Sequence, residues 1–276
     1  MYAKITSNKK ISPTSWEMKL TCPGIAQEAK PGQFVMVRTG NDFDAFLRRP
    51  LSIHDIKNSS SLELLYKVVG RGTEIMTGFK KGDNIDILGP LGNGFNAGNG
   101  LESAVLIAGG IGIAPLVFLL RSLIKKGIKK KNIHFLYGAK NKSEILCLNL
   151  IKNLGAKILI ATEDGSLGEK GMINNQLEKL LRTLTKEKSK TSIFASGPNN
   201  MLKVVSSVAE EYEIPCQISF EANMACGFGV CLGCAVKIEN NDNGSRYKMV
   251  CKDGPVFDAG EIDWEQIGKW QITKSK

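Results

Sequence analysis

The run MACGFGVCLGCAVKIENNDNGSRYKMVCKDGPVF, Met224 to Phe257, carries Cys226, Cys231, Cys234 and Cys251 with four, two and sixteen residues between successive cysteines. Four thiolates can close a tetrahedral zinc site, but zinc ribbons repeat a short C-x2-C step twice and zinc fingers finish with histidines. Here the short step occurs once. A C-x4-C-x2-C run with a distant fourth cysteine is the plant-type spacing of a 2Fe-2S cluster, in which one loop wraps the cluster and a strand beyond it returns the last ligand. Gly227, Gly229 and Gly233 fall between the first three cysteines, where a missing side chain lets backbone N–H groups approach sulfur. The four cysteines are the expected cluster ligands. The alternatives are a zinc knuckle or buried free thiols.

Working outward from this run, the preceding stretch alternates strand and helix. Ser103 to Ala108 is a continuous apolar run suited to a buried parallel strand, and it leads into Gly109-Gly110-Ile111-Gly112-Ile113-Ala114-Pro115 and an apolar helix. Further strands are expected at IHFLYGA (133–139), KILIAT (157–162), SIFASG (192–197) and QISFEA (217–222), the pattern of a doubly wound, Rossmann-like α/β domain. Its glycine turn reads G-x-G-x-x-P, not G-x-G-x-x-G. Gly110 and Gly112 still allow backbone to approach a pyrophosphate, the helix N-terminus favours an anion, and Pro115 is preset for the first helical turn. Two later strand ends, Ala161 to Ser166 and Ser196-Gly197-Pro198, lie where such sheets present ligands or are simply turns. Near the ribose, Glu163 and Asp164 would repel a 2′-phosphate whereas Lys140 and Lys142 would attract one, so the choice between NAD and NADP stays open.

Residues 1–99 show short β-rich runs, such as QFVMVRT and SLELLYKVV, separated by Gly, Pro and Asn turns, and read as a small antiparallel barrel. Within it Arg48-Arg49-Pro50-Leu51-Ser52 offers an arginine beside a strand end, able to neutralise a pyrophosphate, and a hydroxyl able to donate to a flavin ring nitrogen. Gly89 to Phe95 is turn-dense and fits the boundary with the next domain. The expected architecture has three parts: a barrel (1–99), an α/β domain (100–218) and a small cluster domain (219–276).

Seven cysteines is an odd number, and Cys22, Cys147 and Cys216 are scattered singly, as expected of buried thiols in a reducing cytoplasm. The start, MYAKITSNKK, lacks an apolar core and so no secretory signal is expected. Ser103 to Leu120 is uncharged and long enough to suggest a membrane span, but Gly109, Gly110, Gly112 and Pro115 break it. A net charge of +10 raises nucleic-acid binding. The basic runs, Lys125 to Lys131 and Lys186 to Lys190, sit at expected helix ends without interleaved aromatic residues, so neither nucleic acid nor membrane is an expected partner. The two histidines, His54 and His134, are expected to be structural, and no hydrolytic motif or catalytic acid–base residue is assigned.

With RRPLS, GGIGIAP and CGFGVCLGC in this order, the chain resembles the ferredoxin reductase superfamily. The final block, with VCKDGPVFDAGEIDW, looks most like the electron-transfer subunits of type B, NAD-dependent dihydroorotate dehydrogenases. The resemblance implies FAD contacts at Arg49, Pro50, Leu51 and Ser52, then at Tyr66, Lys67 and Val68, then at Gly72 and Thr73. It implies a 2Fe-2S cluster on Cys226, Cys231, Cys234 and Cys251, and the turns containing Gly109, Gly110, Gly112, Pro115, Ser196, Gly197 and Pro198, read above as ligand-presenting strand ends, are the expected NAD contacts. It also implies an FMN-containing catalytic subunit as partner, with two of each chain, in pyrimidine biosynthesis. Leu51 stands where the wider superfamily stacks a tyrosine on the flavin. The same architecture in a sulfhydrogenase or glutamate-synthase-like enzyme is the nearest alternative, and a zinc-stabilised nucleic-acid-binding protein is the alternative from another class.

Overall fold

The computed structural model describes residues 1–40, 44–184, 190–239, 246–265 and 267. Six strands, β1 (Tyr2–Lys10), β2 (Ser15–Thr21), β3 (Phe34–Val37), β4 (Arg49–Asn58), β5 (Ser61–Lys67) and β6 (Asn84–Leu91), close into an antiparallel barrel in the order β1-β2-β5-β4-β3-β6. Two short helices, α1 (Pro23–Ala26) and α2 (Arg71–Thr77), lie in its connections. Closure leaves no open sheet edge. β1 alternates, with Ala3 and Ile5 buried between exposed neighbours. β3 does not, because both its faces are covered. Val35 and Val37 join the barrel core, whereas Phe34 and Met36 face outward into a core shared with the C-terminal segment.

The expected turn at Gly89 begins later than the sequence suggests. β6 runs on through Leu91, which pairs with Phe34, since this stretch meets the backbone hydrogen-bonding needs of β3.

The α/β sheet and its covering helices follow in chain order: β7 (Ser103–Gly109), α3 (Ile113–Lys125), β8 (Ile133–Ala139), α4 (Leu148–Leu154), β9 (Lys157–Thr162), β10 (Glu169–Lys170), α5 (Ile173–Thr183), β11 (Thr191–Ser196), α6 (Asn199–Glu211) and β12 (Cys216–Ser219). The C-terminal segment adds a hairpin, β13 (Ala235–Ile238) with β14 (Arg246–Met249), and then β15 (Val256–Asp258). Strand order across the sheet is β10-β9-β8-β7-β11-β12-β15, parallel except for β15. The cluster segment therefore completes the nucleotide domain's sheet. In β7, Ala104, Leu106 and Ala108 face the layer of α3 and α4, and Val105 and Ile107 face that of α5 and α6. Burial on both faces explains why this strand is apolar throughout.

The chain winds from β7 to β8 and β9, then returns to the other side of β7 as β11, so the carboxyl ends of β7 and β11 form the switch point where such sheets bind ligands. There a Cβ on Gly197 would overlap the Gly109 backbone, and a Cβ on Gly112 would overlap the Ser196 carbonyl. Glycine is required for this approach.

Among the described residues no helix is long and apolar enough to cross a membrane, because Ser103 to Leu120 divides into β7, a 3-10 turn and α3. Lys125 occupies the last turn of α3, beside its carbonyl ends. Lys186 to Ser189 of the second basic run lie outside the described residues.

Candidate functional site

β4 presents the arginine pair in two different roles. Arg48 donates to the Asp86 carboxylate at 2.5 Å and to the Asp86 carbonyl, so its charge is engaged by the barrel. Arg49 donates to the Leu47 carbonyl, has no carboxylate partner among the described residues, and lines a cavity of about 450 Å³. Pro50, Leu51, Ser52, Tyr66, Lys67 and Thr73 line it too, facing Ile111, Ala114 and Pro115 across the gap. Val68 does not: its side chain packs on the barrel core, and exposed Val69 takes the place in the lining. Gly72 lies beneath Arg49, where any side chain would overlap the guanidinium. Burial pushes the Tyr66 phenol up to about 12, so it stays protonated, and it donates to Asn8 Oδ1 at 3.1 Å.

A second cavity, about 580 Å³, opens at the switch point. Gly109, Gly110, Gly197 and Pro198 line it, as do Gly138, Lys140, Glu163 and Asn174. Tyr137 braces the glycine turn by donating to the Gly110 carbonyl at 3.0 Å. Gly112 is a packing glycine, and Pro115 and Ser196, expected beside the nucleotide, face the first cavity instead. Of the two acidic residues after β9, Glu163 lines this cavity, whereas Asp164 turns away and accepts hydrogen bonds from Ser166. Lys140 is in the lining; Lys142 opens a separate 3-10 turn.

Lys67 touches both cavities and pairs with Glu144 at 2.9 Å, a contact that holds the Glu144 carboxyl below the usual range. Glu221, just beyond β12, also lines both. It is open to solvent within the cleft but walled by protein, and this desolvation raises its carboxyl pKa. The motif-based reading missed Glu221 and its neighbours Ala222 to Met224. Their position after the carboxyl end of a parallel strand was the available signal.

The histidines are structural on this geometry. His54 is fully buried, and its Nδ1 lies 3.0 Å from the Ala114 carbonyl, which makes Nδ1 the protonated nitrogen. Its Nε2 therefore accepts from the Cys147 thiol at 3.7 Å, and burial keeps that thiol at about 12, too high to act as a nucleophile. His134 is buried in β8.

The four cysteines converge in two pairs. The Cys231 N–H points to Cys226 Sγ at 3.5 Å, and the Cys251 N–H points to Cys234 Sγ at 3.4 Å. Gly229 donates to Cys251 Sγ at 3.0 Å. Burial pushes the Cys226 thiol up, but the N–H groups of Cys231, Phe228 and Val230 outweigh it and bring the thiol down to about 6. Cys251 and Cys234 are buried, Cys226 is half-buried and Cys231 exposed. Among the described residues no three Cys, His, Asp or Glu side chains converge on a single ion's position. Two pairs of thiols with N–H groups aimed at sulfur suit a two-iron cluster.

Residues 221–263 match the family model described as the iron-sulfur cluster binding domain of dihydroorotate dehydrogenase B. Residues 106–207 match an oxidoreductase NAD-binding domain. A dihydroorotate dehydrogenase B (NAD(+)) electron transfer subunit from Desulforamulus reducens is 39% identical over 95% of this chain and 98% of its own. The chain belongs to this family. Its counterpart in Caldanaerobacter subterraneus is 36% identical over 95% of this chain and 98% of its own. A solved NADH-dependent reduced ferredoxin-NADP oxidoreductase, described in terms of flavin-based electron bifurcation, aligns with a TM-score of 0.80 at 29% identity, covering 96% of this chain and 90% of that one. Phthalate dioxygenase reductase shares the fold, with a TM-score of 0.64 at 18% identity over 91% of this chain and 77% of its own.

Proposed function

We propose that the chain is the electron-transfer subunit of an NAD-dependent dihydroorotate dehydrogenase, carrying electrons from a dihydroorotate-oxidising catalytic subunit to NAD⁺. The observation that carries the reading is that a barrel cavity and the switch-point cavity share Lys67, Ile111 and Glu221 in their linings, with Gly227 of the cysteine loop packed on Met36 of the same barrel. FAD and a 2Fe-2S cluster supply the change between two-electron and one-electron transfer.

The chain's residues divide the work. Arg49 offers an uncommitted cation for the FAD pyrophosphate, the Ser52 hydroxyl a donor for the flavin ring, and Leu51, Tyr66 and Pro115 an apolar wall. Lys67 and Thr73 complete the FAD contacts; Val68, whose N–H is committed to the Thr14 carbonyl, has only its own carbonyl to offer, and Gly72 serves through the space it leaves for Arg49. Gly109, Gly110, Gly197 and Pro198 receive NAD, with Gly112 and Ser196 holding the two turns together. Cys226, Cys231, Cys234 and Cys251 hold the cluster. Residues 1–99, 100–218 and 219–276 act as flavin, nucleotide and cluster units. The partner carries FMN in a complex with two of each chain, and the three singly scattered thiols, Cys22, Cys147 and Cys216, suit a reducing cytoplasm.

The isolated chain should show flavin and cluster absorption, oxidise NADH with artificial acceptors and leave dihydroorotate untouched. Conversion of dihydroorotate by this chain alone, or a colourless zinc-containing preparation made without air, would overturn the reading.

A further inference from the structure

The cysteine loop rests on the barrel at its first and last ligands, through two residues that no motif includes. Met36 is fully buried in β3 and pairs in register with Pro50 of the arginine-bearing strand. Its side chain points away from the barrel interior and fills the space beneath Gly227, the neighbour of Cys226. A Cβ at Gly227, where φ is +84°, would overlap Met36. The first ligand thus stands one methionine's thickness from the strand that lines the flavin cavity.

Asn93, just past β6, holds the other end. Its N–H donates to the Gly254 carbonyl at 2.5 Å, and its side-chain amide donates to the carbonyls of Lys252 at 3.2 Å and Asp253 at 3.0 Å. These carbonyls belong to the turn that directly follows Cys251. Asn93 is exposed, so core packing does not require it. The opposite side of the loop, with Phe228, Val230 and Leu232, is exposed.

We infer that Met36 and Asn93 are positioning residues that fix the cluster loop to the barrel and so set its distance from the flavin cavity. This rests on the function proposed above. Both contacts belong to the barrel, and neither residue lines the switch-point cavity, although β15 also ties the segment to the nucleotide domain's sheet. NADH binding and flavin reduction depend on the switch-point cavity and should not sense these residues. Transfer of one electron from reduced flavin to the oxidised cluster should sense them, since a site whose supporting residues are loosened loses its distance.

The test is stopped-flow reduction of the full holo chain by NADH, following flavin bleaching and then cluster bleaching. In Asn93→Ala, Asn93→Asp and Met36→Ala the second phase should slow by about tenfold, with the first phase and the NADH KM unchanged, whereas Met36→Leu stays near wild type. Hydrogen exchange of residues 224–234 should rise in the same variants. A second phase within about twofold of wild type in the Asn93 variants, or equal slowing of both phases, would overturn the inference. The Asn93 variants decide the matter if Met36→Ala does not fold. A wild-type chain without flavin and cluster, or one that NADH does not reduce, would instead sink the underlying function.

Discussion

The barrel holds its two neighbours by different physics. Towards the cluster segment it presents Phe34, Met36 and the backbone-directed amide of Asn93, a contact of apolar packing and neutral hydrogen bonds. Towards the nucleotide domain it presents a polar seam. Asp55, fully buried on β4, binds Arg121 of α3 at 2.7 Å and Lys57 at 2.5 Å. Beside it, His54 meets the Ala114 carbonyl and Lys67 pairs with Glu144. A packed contact tolerates changes of pH and salt. A charged seam specifies one orientation and is costly when half of it is removed. The difference fits the two tasks, a fixed distance on one side and a cleft assembled from two domains on the other.

The largest expected effect separates the two contacts outright. Cys251→Ser should abolish cluster absorption while flavin content and NADH-driven flavin bleaching remain, measured by visible spectroscopy and iron analysis. Flavin lost in parallel with iron would mean that the contacts are not independent. Next, Arg121→Met leaves the Asp55 carboxylate buried with only Lys57, and should lower stability by about 2–3 kcal/mol in urea unfolding, less than for a sealed pair because the guanidinium is partly exposed.

Acid should weaken the seam before the packed contact. Burial lowers the His54 pKa, so the unfolded chain takes up this proton near pH 6.5 and the folded chain only at lower pH. Stability from this group is complete above about pH 6.5 and drains away as pH falls below it. Between pH 7.5 and 5.5 the loss should be on the order of 1 kcal/mol, and His54→Asn, which keeps a donor for Ala114 but cannot titrate, should remove that part of the slope. The smallest effect belongs to Glu144→Gln, about 0.5 kcal/mol, because the Lys67–Glu144 pair is partly exposed and screened. A much larger value would give this pair a structural role equal to that of Asp55.

Local pattern made much of the molecule legible. Ser103 to Gly109 reads as a strand covered on both faces, and the glycine-proline turn after it reads as a ligand-binding switch, because burial and backbone approach impose their own residue types at short range. Roles that depend on distant partners were not legible. Residue type and spacing do not separate Arg48 from Arg49; the resemblance singled out Arg49, and the Asp86 carboxylate beside Arg48 supplies the physical reason. Val68 and Val69 are neighbours just past β5, and only the packing of Val68 on the barrel core decides which one lines the cavity.

The cysteine run of residues 226–251 by itself gave the expected donor set and favoured two-iron chemistry over zinc, since ligand type and spacing are properties of the local chain. Tertiary structure decided where that chemistry stands: Met36 and Asn93, about 190 and 160 residues away along the chain, seat the loop, and β15 carries its end into the nucleotide domain's sheet. Contacts at such separations follow from how whole sheets pack, so no stretch of neighbouring residues encodes them.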